Sequence, residues 1–189
     1  MNTPSPALLI IDMFTLFDFP EADQVKPKAL EAARPIATLA QRFRALGHPV
    51  IYANDNFANW QMDFKELVRL CLATEGESSA IAKILEPEHG DYFVLKPKHS
   101  AFLATPLAVL LAKLGVRQLV VAGMTAESCI TATCFDGNAR EYDTIVVQEA
   151  VAGIGSRKTT ALRLLEESKA ATVLKLASYL RRLGTSTER

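Results

Sequence analysis

Three positions in the chain carry side chains that could together perform acyl chemistry. They are Asp12 in Leu9-Ile10-Ile11-Asp12-Met13, Lys96 in Val94-Leu95-Lys96-Pro97-Lys98, and Cys129 in Gly123-Met124-Thr125-Ala126-Glu127-Ser128-Cys129. A thiol of ordinary pKa, about 8.5, is only a few per cent ionised at neutral pH. A carboxylate that accepts its proton and an ammonium that stabilises negative charge would both help it attack a carbonyl carbon. The order strand, glycine turn, helix around Cys129 places the thiol near a helix N-terminus. There the macrodipole and unpaired N–H groups favour thiolate and can hold an oxyanion.

Each position also has a plainer role. Asp12 could satisfy backbone N–H groups of its own loop, and Lys96 could snorkel from the end of an apolar run to solvent. Lys98 and His99 compete with Lys96 for the same role. Cys129 could be a small buried hydrophobe, a role that suits Cys71 and Cys134 better.

The elements that must position these residues alternate along the chain. Ala7–Ile11, Val50–Ala53, Tyr92–Leu95, Gln118–Ala122, Thr144–Val147 and Ala171–Leu174 are short, nearly continuous apolar runs, as strands buried on both faces are. Helical spacing is clearest over Ala29–Leu46, closed by Gly47-His48-Pro49, and recurs over Pro106–Leu114, Phe64–Leu72 and Ser79–Leu85. This alternation predicts an α/β fold: a doubly wound, mainly parallel six-stranded sheet of order 3-2-1-4-5-6 with helices on both faces. The order reverses between strands 1 and 4, so a ligand crevice is expected where Asp12 and Gly123 end those strands. The less regular stretch from Asn54 to Gly90 would serve as a lid or an oligomer contact.

Composition narrows the function classes. A chain of 189 residues, 49% hydrophobic and 22% charged, fits one domain over 1–189 and excludes disorder and coiled coil. With 21 basic and 21 acidic residues the net charge is +0, so no nucleic-acid or anionic-membrane partner is expected. The apolar run Ala7–Ile11 is too short for a signal core or a membrane span, so a cytoplasmic protein is expected. The three cysteines form no CxxC and the three histidines are scattered, which argues against a disulfide framework or a structural zinc site. Neither G-x-G-x-x-G after the first strand nor a P-loop is present, and Ile10-Ile11-Asp12 lacks the acidic cluster of a receiver-like domain. No cofactor is expected.

Taken in order, the strand ending in Asp12, Lys96 followed by Ser100-Ala101-Phe102, Gly123 followed by Thr125 and Cys129, and then Thr133 resemble the isochorismatase-like cysteine hydrolase superfamily. That superfamily includes nicotinamidases and N-carbamoylsarcosine amidases, and the resemblance spans most of the chain. It implies an Asp12-Lys96-Cys129 triad, a thioester intermediate, an oxyanion hole from the backbone N–H groups of Thr125 and Cys129, a cis Met124–Thr125 peptide, and a homo-oligomer. Asn54–Leu85 and Leu180–Leu183 are candidate interfaces.

Departures from the family pattern bear on the substrate. Phe14 stands where many members have Gln. Phe57 stands where metal-dependent nicotinamidases place the imidazole of an Asp-x-His element, so no catalytic metal is expected and nicotinamidase activity is disfavoured. Isochorismate-cleaving members lack the nucleophile that Cys129 supplies, which leaves a small-molecule amide, ureido or related acyl substrate. Phe14, Phe17, Asn56, Phe57 and Trp60 are the expected pocket residues, with core or interface as the other role for each. An inactive binding or oligomerisation module on the same fold is the alternative function.

Overall fold

The computed structural model describes residues 5–56 and 60–185. Six parallel strands form one sheet of order β3-β2-β1-β4-β5-β6. They are β1 Ser5–Ile11, β2 Val50–Asp55, β3 Tyr92–Lys96, β4 Val116–Gly123, β5 Asp143–Val151 and β6 Thr172–Leu174. Between and after them run α1 Ala22–Ala45, α2 Phe64–Ala73, α3 Glu77–Ile84, α4 Leu107–Lys113, α5 Thr131–Asn138, α6 Gly155–Glu167 and α7 Leu176–Thr185. The expected fold class and strand order are those observed.

Alternation along β1 divides the core. Leu8 and Ile10 face a layer built from α1, α2, α3 and α7, including Ile36, Phe43, Phe64, Ile81 and Tyr179. Ala7, Leu9 and Ile11 face the other layer, where Leu107, Leu111, Cys134 and Leu165 come from α4, α5 and α6. A strand buried on both faces has no polar side to show, which is why these runs read as continuously apolar.

The first helix begins earlier than the sequence pattern suggests. It starts at Ala22 and continues through Pro27 and Pro35. Val25, Ala29, Ala32, Ala33 and Ile36 are fully or almost fully buried along it, and that packing sustains the helix where each proline lacks the N–H of a helical hydrogen bond.

Candidate active site

The strand ends at the switch between β1 and β4 are locked together by backbone. Gly123 has φ +113 and a Cβ there would collide with the backbone of Ile11, so only glycine allows β4 to end this close to β1. Met124 N–H donates to Ile11 O at 3.0 Å, and the Met124–Thr125 peptide is cis. Across the gap Asp12, at φ 55, turns out of β1 in the left-handed region that Asp tolerates. Its N–H donates to Ala53 O at 3.0 Å.

The three chemistry-bearing side chains meet at this edge. Lys96 Nζ lies 2.9 Å from Asp12 Oδ2 and 3.6 Å from Cys129 Sγ. The lysine side chain is 0% exposed and that of Asp12 7%. Snorkelling is therefore excluded: the ammonium is turned inward and held by its anion, as a buried charge must be. Asp55, at the end of β2 and in register with Lys96, places a second carboxylate oxygen 3.4 Å from the ammonium. Its backbone N–H donates to Asp12 Oδ1 at 2.7 Å.

Cys129 lies in a π turn, Ala126–Ile130, that leads directly into α5. Thr131 Oγ1 donates to Ala126 O at 2.6 Å and Ile130 N–H to Thr125 O at 3.2 Å, which sets the wide turn. Single π turns of this kind occur often at functional sites. The turn is tied to the chain after β5, where Ala126 N–H reaches Ala152 O at 2.8 Å and Glu127 Oε1 accepts from Ile154 N–H at 3.2 Å. The loop that follows Lys96 is pinned to α5 by Ala101 N–H donating to buried Thr133 Oγ1 at 3.0 Å. Thr125 and Cys129, the expected oxyanion donors, stand at the entrance to the turn and inside it.

Protonation follows from burial. Desolvation, and then the Asp12 carboxylate, push the Cys129 thiol up to about 12 against the lowering effect of Lys96. This differs from the thiolate expected at a helix N-terminus. The dipole contributes about 0.3–1 kcal/mol, less than the roughly 1.4 kcal/mol of one pKa unit, and burial outweighs it. Desolvation also raises Asp12, opposed by Lys96 and by the thiol hydrogen bond. Burial works against the Lys96 ammonium, yet Asp12, Cys129 and Asp55 hold it above the ordinary lysine range. Asp12 and Lys96 are thus paired in burial beside a thiol whose ionisation burial opposes.

Among the expected pocket residues, Phe14 and Phe17 are buried in the core. Phe14 is 1% exposed, its ring packed against Tyr52 and Phe64 at 5.6 and 5.5 Å. Asn54 holds the Phe14 backbone through both its N–H and its carbonyl, at 3.1 and 2.8 Å, and this turns the ring into the core. Phe17 is likewise a core residue, 5% exposed and 6.0 Å from the Phe19 ring. Asn56 Oδ1 accepts from Trp60 N–H at 3.0 Å, and Trp60 is largely exposed. Phe57 lies outside the described residues.

One neighbour, Asp55, is not singled out by the sequence pattern, although a carboxylate ending a second central strand is a signal for it. His99, weighed against Lys96, instead accepts or donates through Nδ1 to Ser128 Oγ at 3.0 Å and leaves the ammonium to Lys96. Lys98 is exposed. Among the described residues no group of three or more His, Cys, Asp or Glu side chains could hold a metal ion, and no helix is long and apolar enough to cross a membrane.

The family model of the Isochorismatase domain matches residues 6–178. The isochorismatase family protein YaaI of Bacillus subtilis (strain 168) is 34% identical over 152 residues, covering 80% of this chain and 83% of that one. The maleamate amidohydrolase of Pseudomonas putida is 32% identical over 152 residues, covering 77% and 71%. A crystal structure of an isochorismatase family protein from Desulfovibrio vulgaris superposes with TM-score 0.77 at 27% identity, covering 96% of this chain and 100% of that one.

Proposed function

Because the chain belongs to the isochorismatase family, we propose that it is a cysteine hydrolase acting on a non-peptide C–N bond of a small amide, ureido or related acyl substrate. The observation that carries this reading is the buried Lys96 ammonium in contact with both Asp12 Oδ2, at 2.9 Å, and Cys129 Sγ, at 3.6 Å. An amidohydrolase among the relatives, named for maleamate, supports the substrate class.

In this mechanism Asp12 is the general base. A carboxylate raised by burial is a stronger base than an exposed one, which narrows the gap to the thiol it must deprotonate. As Sγ bonds to the carbonyl carbon, its proton passes to Asp12 and Lys96 stabilises the charge on sulfur. The backbone N–H groups of Thr125 and Cys129 hold the oxyanion. Asp12 then returns the proton to nitrogen, the C–N bond breaks, and the amine leaves a thioester on Cys129. Water attacks the thioester carbon, gives a proton to Asp12 and releases the acid, and that proton restores the thiol. Every proton lost in one half-reaction is returned in the other, so no cofactor is required.

A homo-oligomer, working in the cytoplasm with no nucleic-acid partner, completes the proposal. The balanced charge supports the absence of a nucleic-acid partner and the three free thiols a reducing compartment, while the homo-oligomer rests on the family resemblance alone.

Ammonia release from maleamate and a panel of small primary amides and ureides tests the function, with Cys129→Ala as the control. The expected result is turnover that the substitution abolishes and a thioester adduct on Cys129 trapped by acid quench. Turnover that survives in Cys129→Ala would sink the mechanism. A folded wild-type protein that binds panel members without turning any over would point to the inactive binding module.

A further inference from the structure

The Lys96 ammonium carries one positive charge, already matched by Asp12 at 2.9 Å, and the sulfur needs the same charge when it ionises. Asp55 Oδ2 nevertheless lies 3.4 Å from it. A second carboxylate at this distance competes for the ammonium and makes a neighbouring thiolate harder to form. Beyond its share in holding the ammonium, its side chain adds a negative charge that electrostatically opposes that step. It is not needed to hold Asp12, because the contact between the two residues is made by the Asp55 backbone N–H.

Exposure separates it from the rest of the cluster. The side chain of Asp55 is 25% accessible, whereas those of Asp12 and Lys96 are 7% and 0% accessible. Of the two carboxylates on the ammonium, it is the one open to an incoming molecule. A carboxylate only accepts hydrogen bonds, so what it can recognise is a donor. Asp55 Oδ2 and Cys129 Sγ lie 3.4 and 3.6 Å from the same Lys96 Nζ, so both flank one ammonium; an amide or ureide has N–H groups to offer an acceptor there, and an ester has none.

Resting on the amidase reading above, we propose that Asp55 is a specificity-determining residue that accepts hydrogen bonds from the N–H groups of the leaving amine and so selects amides and ureides over the matching esters. The acceptor also orients the nitrogen, turning its lone pair away from Asp55 and towards the proton that Asp12 returns. A site built to bind an N–H discriminates strongly against an analogue without one, because its acceptor is then left unpaired.

The test compares maleamate with its ester counterpart, monomethyl maleate, in wild type, Asp55→Ala and Asp55→Val, which leave no side-chain acceptor, following ammonia and methanol release. Neither substitution removes the backbone N–H that holds Asp12, and the far-ultraviolet circular dichroism of each variant checks its fold. The ratio of kcat/KM for amide over ester is expected to fall at least about tenfold in both variants. If amide and ester rates fall together, Asp55 only positions Lys96; the selectivity proposal is then overturned and the amidase reading stands. If the wild type hydrolyses neither compound nor any amide of the wider panel, the amidase reading fails and takes this proposal with it.

Discussion

The backbone N–H of Asp55 donates to Asp12 Oδ1 at 2.7 Å while Lys96 Nζ holds Oδ2 at 2.9 Å. Both oxygens of the proposed base are therefore fixed by neighbouring strands and not by its own loop. A carboxylate held this way loses little rotamer entropy when it takes up a proton, and it presents one geometry to the thiol.

The charges around Cys129 predict opposite effects of its two proposed partners, Asp12 and Lys96, on the thiol. Asp12 raises its pKa and Lys96 lowers it. Asp12→Asn should therefore speed alkylation of Cys129 by iodoacetamide at pH 8, and Lys96→Met should slow it. Hydrolysis should fall about 10²–10⁴-fold in both. Peptide mapping of the alkylated protein reads the rates, and equal slowing in the two variants would refute this electrostatic account.

Thr133 tests how the loop after Lys96 is anchored. Its hydroxyl oxygen accepts the Ala101 N–H at 3.0 Å and both residues are fully buried. Thr133→Val keeps the shape but strands that donor, at a cost of about 1–3 kcal/mol. A lower urea midpoint with slower Cys129 alkylation is expected. An unchanged midpoint would mean that the anchor lies elsewhere.

Alkaline stability should reflect the buried thiols. Burial pushes Cys134, like Cys129, up to about 12, above the roughly 8.5–9 of an unfolded thiol. The folded value is the higher one, so the stabilisation is complete below pH 9 and is lost as pH rises through about 12. In that window the unfolded chain gives up protons that the folded one keeps, and stability falls by up to about 1.4 kcal/mol per pH unit for each such group. Urea midpoints at pH 8 and 10.5 should differ, and less so in Cys134→Val. An identical slope in that variant would assign the effect to other groups.

Much of this architecture is already written in the order of residues. Runs such as Ala7–Ile11 and Gln118–Ala122 are apolar on both faces, and only a central parallel strand buries both, so the doubly wound sheet and its switch point follow from local pattern. Asp12, Lys96 and Cys129 were legible for a related reason: each ends or follows such a run, and a strand end at the switch point is a fixed place in space. The residues that the sequence could not place depend on contacts between distant segments. Phe14 and Phe17 sit on the loop nearest the crevice, yet Asn54, some forty residues on, turns the first into the core by gripping its backbone. Asp55 became a partner of Lys96 only through the register of β2 against β3. The state of the thiol was likewise a tertiary matter, because burial and a carboxylate from another strand outweigh the local helix terminus that the sequence does reveal. Short-range pattern determines which strands form and where they end; which side chains share one low-dielectric volume, and so which protons they hold, is decided when those ends are packed together.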